Sequence, residues 1–153
     1  MNETRIRMME LAAQGFCCSQ ILIVLALEGR GTDNPDLVRA AGGLCQGVGC
    51  SGEACGVMTG GACLLALYAG KGTPAEERHR LYPLLLTEFT DWFRQSVGGR
   101  FGGIRCLDIM GGECPAPDPA VCGPLLAEAY AKAMSLLLEN GLNPALGREE
   151  QNA

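Results

Sequence analysis

Cysteine occurs nine times in this sequence, at Cys17, Cys18, Cys45, Cys50, Cys55, Cys63, Cys106, Cys114 and Cys122, against a single histidine, His79. A chain of this kind either staples a small core with disulfides or builds a thiol site on a fold that is stable without them. The second description fits better. Of 153 residues 48% are hydrophobic and only 19% charged, so the chain can bury enough apolar area for one ordinary core and offset its ordering entropy. The cysteine count is odd, and Glu3 and Glu10 precede the first apolar run while Glu28-Gly29-Arg30 follows it, unlike a secretory leader. The expectation is a cytoplasmic protein with metal or redox chemistry at its thiols, any metal site being mainly sulfur.

Other classes are disfavoured by charge and length. A net charge of −5 and scattered Lys and Arg residues do not suit phosphate neutralisation, so no nucleic-acid partner is expected. The most apolar stretches, 21–27 and 54–70, are shorter than the ~20 residues that span a bilayer. No membrane span is expected either.

Apolar spacing at Ile6, Met9 and Leu11 predicts a helix over 3–13 that stops at Gly15. A second helix starts at Cys18 or Ser19 and runs to Leu27, and Asn34-Pro35-Asp36 caps a short third one ending at Ala41. From Gly42 to Gly56 the sequence GGLCQGVGCSGEACG holds six glycines and three cysteines without either periodicity, and reads as a shaped loop. The uncharged run 55–68 suits a helix buried on most faces. Thr73-Pro74 is expected to open a longer helix through Leu81, Leu85, Phe89, Trp92 and Phe93, kinked at Pro83 and ending near Gly98. A short helix over 105–110 follows, then an extended stretch at Pro115, Pro117 and Pro119. Pro124 fits the first position of a last helix whose apolar face includes Leu125, Ala129, Ala133 and Leu136; it ends at Asn140-Gly141, and the tail beyond Pro144 frays. With no strand run, linker or repeat, residues 1–153 form one all-α domain, a compact helical bundle with a Gly/Cys-rich loop before a buried central helix.

On these elements Cys18, Cys55, Cys106 and Cys122 each fall within about one turn of a helix start. Unpaired N–H groups there carry roughly half a positive charge, which favours a thiolate, the form that attacks disulfides and ligates iron or zinc. If those starts converge, four soft ligands meet, a number that suits an iron-sulfur cluster or a tetrahedral zinc. Glycine in the 42–56 loop lets backbone N–H groups approach anionic sulfur, although tight turns explain it equally well. Cys45, Cys50 and Cys55 repeat as C-x4-C-x4-C, close to but distinct from a ferredoxin spacing, and no CxxC occurs. Cys17 and Cys63 read as core, the latter about 12 Å along a helix from Cys55. Cys45, Cys50 and Cys114 stand as additional or substitute ligands, Cys114 first if Cys122 is not one. His79, in Glu76-Glu77-Arg78-His79-Arg80, reads as exposed and inert, and Met8 and Met9 as core filling.

These residues resemble the C_GCAxxG_C_C family of redox-active proteins, over Gly15 to Leu138. The first cysteine matches Cys18 in Cys17-Cys18-Ser19-Gln20, the central block Gly52-Glu53-Ala54-Cys55-Gly56-Val57-Met58-Thr59-Gly60, the third Cys106 after Phe101-Gly102-Gly103-Ile104-Arg105, and the fourth Cys122. Ala54 stands where the pattern has glycine, Cys17 where asparagine is common, and Cys45, Cys50, Cys63 and Cys114 are additional. The resemblance implies redox activity; related domains accompany cytochrome-like electron-transfer proteins and iron-sulfur binding.

The leading expectation is therefore an electron-transfer accessory protein with a redox partner protein, binding an iron-sulfur cluster, of [2Fe-2S] type, through Cys18, Cys55, Cys106 and Cys122. The alternatives are a metal-free thiol-disulfide protein in which Cys55 is the catalytic nucleophile with a lowered pKa, and a structural zinc module. Small-residue helix faces leave a homodimer open.

Overall fold

The first helix, α1 (Glu3–Ala13), begins where Asn2 Oδ1 accepts a hydrogen bond from the Arg5 N–H at 2.9 Å and ends before Gly15, whose φ is +95°. Helix α2 (Cys18–Gly29) is apolar nearly all round, with Ile21, Leu22, Ile23, Leu25, Ala26 and Leu27 buried. Asn34 accepts from the Leu37 N–H at 3.1 Å to start α3 (Pro35–Ala41). After the glycine-rich segment come α4 (Gly56–Ala69), α5 (Tyr82–Phe101), α6 (Cys106–Met110) and α7 (Pro119–Glu139). This is a computed structural model that describes residues 2–112 and 117–152. The fold is all-α, and among the described residues the β pairing is limited to one isolated bridge between Ala54 and Arg105.

Helix α4 occupies the centre and packs on α2, α5 and α7. Its small residues permit this. A Cβ at Gly60 would lie 2.7 Å from Ser19 Cα, so α2 and α4 cross almost backbone to backbone, and Gly61 lies directly under the Phe89 ring. Leu22, Leu64, Leu65, Tyr68, Leu85, Phe89, Phe93 and Leu137 are wholly buried around that crossing. Each such side chain contributes on the order of 1.5–3 kcal/mol of transfer free energy.

Three expected boundaries differ. Residues 73–81 form turns, and α5 begins at Tyr82, so Pro83 sits in the first turn and causes no kink. Pro83 has no N–H to give the His79 carbonyl, as a continuous helix would require; that carbonyl accepts instead from Tyr82 N–H at 2.9 Å, and the His79 N–H turns back to the Ala69 carbonyl. Helix α7 begins at Pro119 rather than Pro124, which lies inside it, because Asp118 Oδ1 caps the Ala120 N–H. The tail is also docked: Tyr68 donates its hydroxyl to the Pro144 carbonyl at 2.7 Å, Gln151 bonds to Asn143 and Leu146, and Leu142 is buried. By length and composition α7 is apolar enough to cross a membrane, yet Leu125, Ala129, Ala133, Leu136 and Leu137 pack into the bundle.

His79 is half-buried and holds the α4–α5 connection: its Nδ1 accepts a hydrogen bond from the Leu81 N–H at 3.1 Å. Burial, then Arg148 and Arg80, lowers its pKa. Since the unfolded chain binds this proton more readily, the stabilisation is present above the ordinary histidine pKa of ~6.5 and is lost as pH falls through and below it. Urea midpoints should therefore fall on acidification more in the parent protein than in His79→Gln; equal slopes would remove this role.

Candidate thiol site

The site is assembled by one piece of backbone pairing between the glycine-rich segment and the chain before α6. Cys55 N–H donates to the Ile104 carbonyl at 2.9 Å, Cys106 N–H to the Glu53 carbonyl at 2.7 Å, and Leu107 N–H to the Gly52 carbonyl at 3.1 Å, around the Ala54/Arg105 bridge. Cys55 thereby becomes the N-cap of α4 and Cys106 the first residue of α6. Cys18 is the first residue of α2, and Cys122 lies in the first turn of α7. Upstream, Gln46, Gly47 and Val48 form a left-handed run with φ of 56°, 64° and 67°. Gly47 stacks on the Glu53 backbone with no room for a Cβ, and its carbonyl accepts from Glu53 N–H at 3.0 Å. Val48, a β-branched residue in that region, is strained, as recurs beside functional sites.

Cys18, Cys55, Cys106 and Cys122 all line one cavity of about 720 Å³, together with Cys17. Met8, Phe16, Ile21, Ile109 and Met110 supply apolar wall, and Cys122 Sγ lies 3.7 Å from Met110 Sδ. A smaller groove of about 420 Å³ along α2 and α3 contains no thiol. Cys55 and Cys106 are buried, and Cys18 and Cys122 half-buried. Among the described residues no three His, Cys, Asp or Glu side chains are gathered closely enough, as placed, to hold a metal ion.

The thiols are not the low-pKa groups that helix starts suggest. Burial, followed by the neighbouring thiols of Cys55 and Cys122, pushes Cys18 up to about 12. Cys55 is pushed up to about 11 by burial, although the N–H groups of Val57 and Met58 pull the other way. Cys106 and Cys122 are raised as well, burial again being the largest cause. The helix-start effect exists at Cys55 but desolvation outweighs it.

The model of a protein family described as "Putative redox-active protein (C_GCAxxG_C_C)" matches residues 16–136. The chain belongs to this family. No curated protein and no solved structure matches it. The five cysteines that line the cavity all lie within the matched span.

This C_GCAxxG_C_C protein departs from the sequence expectations at its additional cysteines. Cys17 is not core: it forms a disulfide with Cys45, 28 positions further along the sequence, with Cα atoms 6.1 Å apart, which removes Cys45 as a ligand in this state. No sequence signal identifies that pairing, since connectivity is set by tertiary structure. Cys63 is exposed rather than buried, and Met9 is 57% exposed at the cavity rim. Cys50 is not among the free thiols, and Cys114 lies outside the described residues. Ser19, which sequence reading passed over, is wholly buried between Cys17 and Cys45.

Gly56 completes the site. A Cβ there would lie 2.8 Å from Cys18 Sγ and 3.0 Å from the Leu44 carbonyl oxygen, so only glycine lets that sulfur lie against the start of α4. Gly56→Ala should keep the fold at a cost of ~1–3 kcal/mol. It should speed alkylation of Cys18 in the native protein several-fold, read by peptide mass spectrometry; an unchanged rate would show that the contact is slack.

Proposed function

We propose that this redox-family protein is an electron-transfer accessory module that binds an iron-sulfur cluster through Cys18, Cys55, Cys106 and Cys122. The observation that carries the reading is the shared cavity, into which four helix starts bring four free thiols. The donor set is chemically suited: it is all sulfur, enclosed by apolar side chains, with the N–H groups of Val57 and Met58 at the Cys55 sulfur. Burial raises the pKa of all four thiols, and neighbouring thiols raise Cys18, Cys55 and Cys106 further, a penalty that a bound cationic centre reverses by taking up the thiolate charge. When bound, the cluster would supply one-electron transfer, with burial and N–H donors tuning its potential.

The chain's own part is to hold the ligands against an apolar wall. Met8, Phe16 and Ile21 wall the cavity from one side, and the bridge at Ala54/Arg105 fixes Cys55 relative to Cys106. Metal binding would draw the sulfurs closer than they now stand. The test is anaerobic purification or reconstitution with iron and sulfide, followed by visible absorption and iron and sulfide analysis. A single zinc ion would instead give a colourless protein that a chelator unfolds.

A further inference from the structure

The Cys17–Cys45 disulfide stands beside the same cavity but is not explained by it. Cys17 lines the cavity, whereas Cys45 is held behind it at the head of the left-handed run. Between them lies Ser19, whose side chain is wholly buried. Its Oγ donates to the Ala41 carbonyl at 2.8 Å and stands 3.5 Å from Cys17 Sγ and 3.1 Å from Cys45 Sγ. A disulfide sulfur has no proton to give and accepts hydrogen bonds poorly, so the contact with Cys45 gains little in the oxidised state. After reduction, a Cys45 S–H donates to Ser19 Oγ, or the serine hydroxyl swings from Ala41 to a Cys45 thiolate. The buried hydroxyl is thus matched to the dithiol state.

We propose that Cys17–Cys45 is a reversible dithiol–disulfide couple reached through the cavity by low-molecular-weight thiols, with Ser19 positioning the departing Cys45 sulfur. The inference goes beyond the cluster reading and does not depend on it. A thiolate RS⁻ in the cavity attacks Cys17 Sγ; a bond forms between R–S and Cys17, the Cys17–Cys45 bond breaks, and its electron pair leaves on Cys45 sulfur, which takes a proton. A second RS⁻ attacks the substrate sulfur of that mixed disulfide, and Cys17 leaves with the electron pair and is protonated. Two RSH are oxidised to RSSR, and the protein disulfide gains two electrons and two protons as two thiols. The reverse sequence reduces a small disulfide.

The test uses the full chain equilibrated anaerobically in dithiothreitol buffers of graded oxidised-to-reduced ratio, with rapid alkylation, peptide mass spectrometry at Cys17 and Cys45, and circular dichroism. Cys17 and Cys45 should become alkylated together and reversibly while the helical signal holds. Ser19→Ala should slow reduction roughly tenfold, the worth of one hydrogen bond of about 1.4 kcal/mol. It should also lower the urea midpoint of the reduced protein more than that of the oxidised one, whereas a purely structural serine would move both equally. Reduction only with loss of helical signal, an unchanged rate in Ser19→Ala, or free alkylation of both cysteines without reductant would each overturn the proposal. Iron and sulfide in the same preparation are read separately, so loss of this couple with the cluster retained counts against this inference alone.

Discussion

Cys106→Ser, prepared anaerobically beside the parent protein, is expected to lose most of its bound iron, by roughly tenfold or more, with its helical signal intact. Cys106 is only 9% exposed, and its N–H is fixed on the Glu53 carbonyl beside the Ala54/Arg105 pairing, which holds its sulfur in position. Serine is close in shape, which keeps the backbone in position, but its hydroxyl is a harder and far less acidic ligand than a thiol. Cys63→Ser is the matched control, since Cys63 is exposed and does not line the cavity. Equal iron in the two variants would take Cys106 out of the ligand set.

Phe89→Ala is expected to destabilise the fold by about 3–5 kcal/mol in urea titrations. The ring is wholly buried and lies on Gly61, which has no side chain to fill the space it leaves, so the cost belongs at the upper end of that range. The same contact predicts a reversal of sign. Gly61→Ala clashes with the ring in the parent protein and destabilises it, but in the Phe89→Ala background the added methyl fills part of the void and carries a helix-propensity gain of up to ~1 kcal/mol. A Gly61→Ala change with the same sign in both backgrounds would mean that the two helices do not meet there.

The elements that were legible in the sequence are those with local punctuation. Helix α1 has apolar residues at helical spacing and Gly15 after it, α3 has Asn34 and Pro35, and the 55–68 run has no charge to place outward. These signals need no tertiary partner. Prolines were harder, because Pro83 and Pro124 each fit either a first turn or a helix interior, and the choice rests on bonds made by other residues: the His79 N–H turning back to the Ala69 carbonyl, and Asp118 capping α7 six residues ahead of Pro124. The tail was misread for the same reason, since Tyr68 lies 76 residues from its partner Pro144.

At the site, the positions of Cys18, Cys55, Cys106 and Cys122 at helix starts were readable, because helix starts are local. Their protonation was not. The helix-end field is a property of one element, whereas the desolvation that overrides it depends on how several helices close over the sulfur. The pairing of Cys17 with Cys45 is likewise tertiary, set by the α2–α4 crossing that buries Ser19 against Gly60.

The most direct measurement of the central claim is the iron and acid-labile sulfide content of the anaerobically reconstituted protein, taken with its visible spectrum. The account predicts a coloured protein with iron and sulfide in matched amounts, both lost together when Cys18, Cys55, Cys106 or Cys122 is replaced by serine. A colourless protein free of iron and sulfide after reconstitution would contradict it.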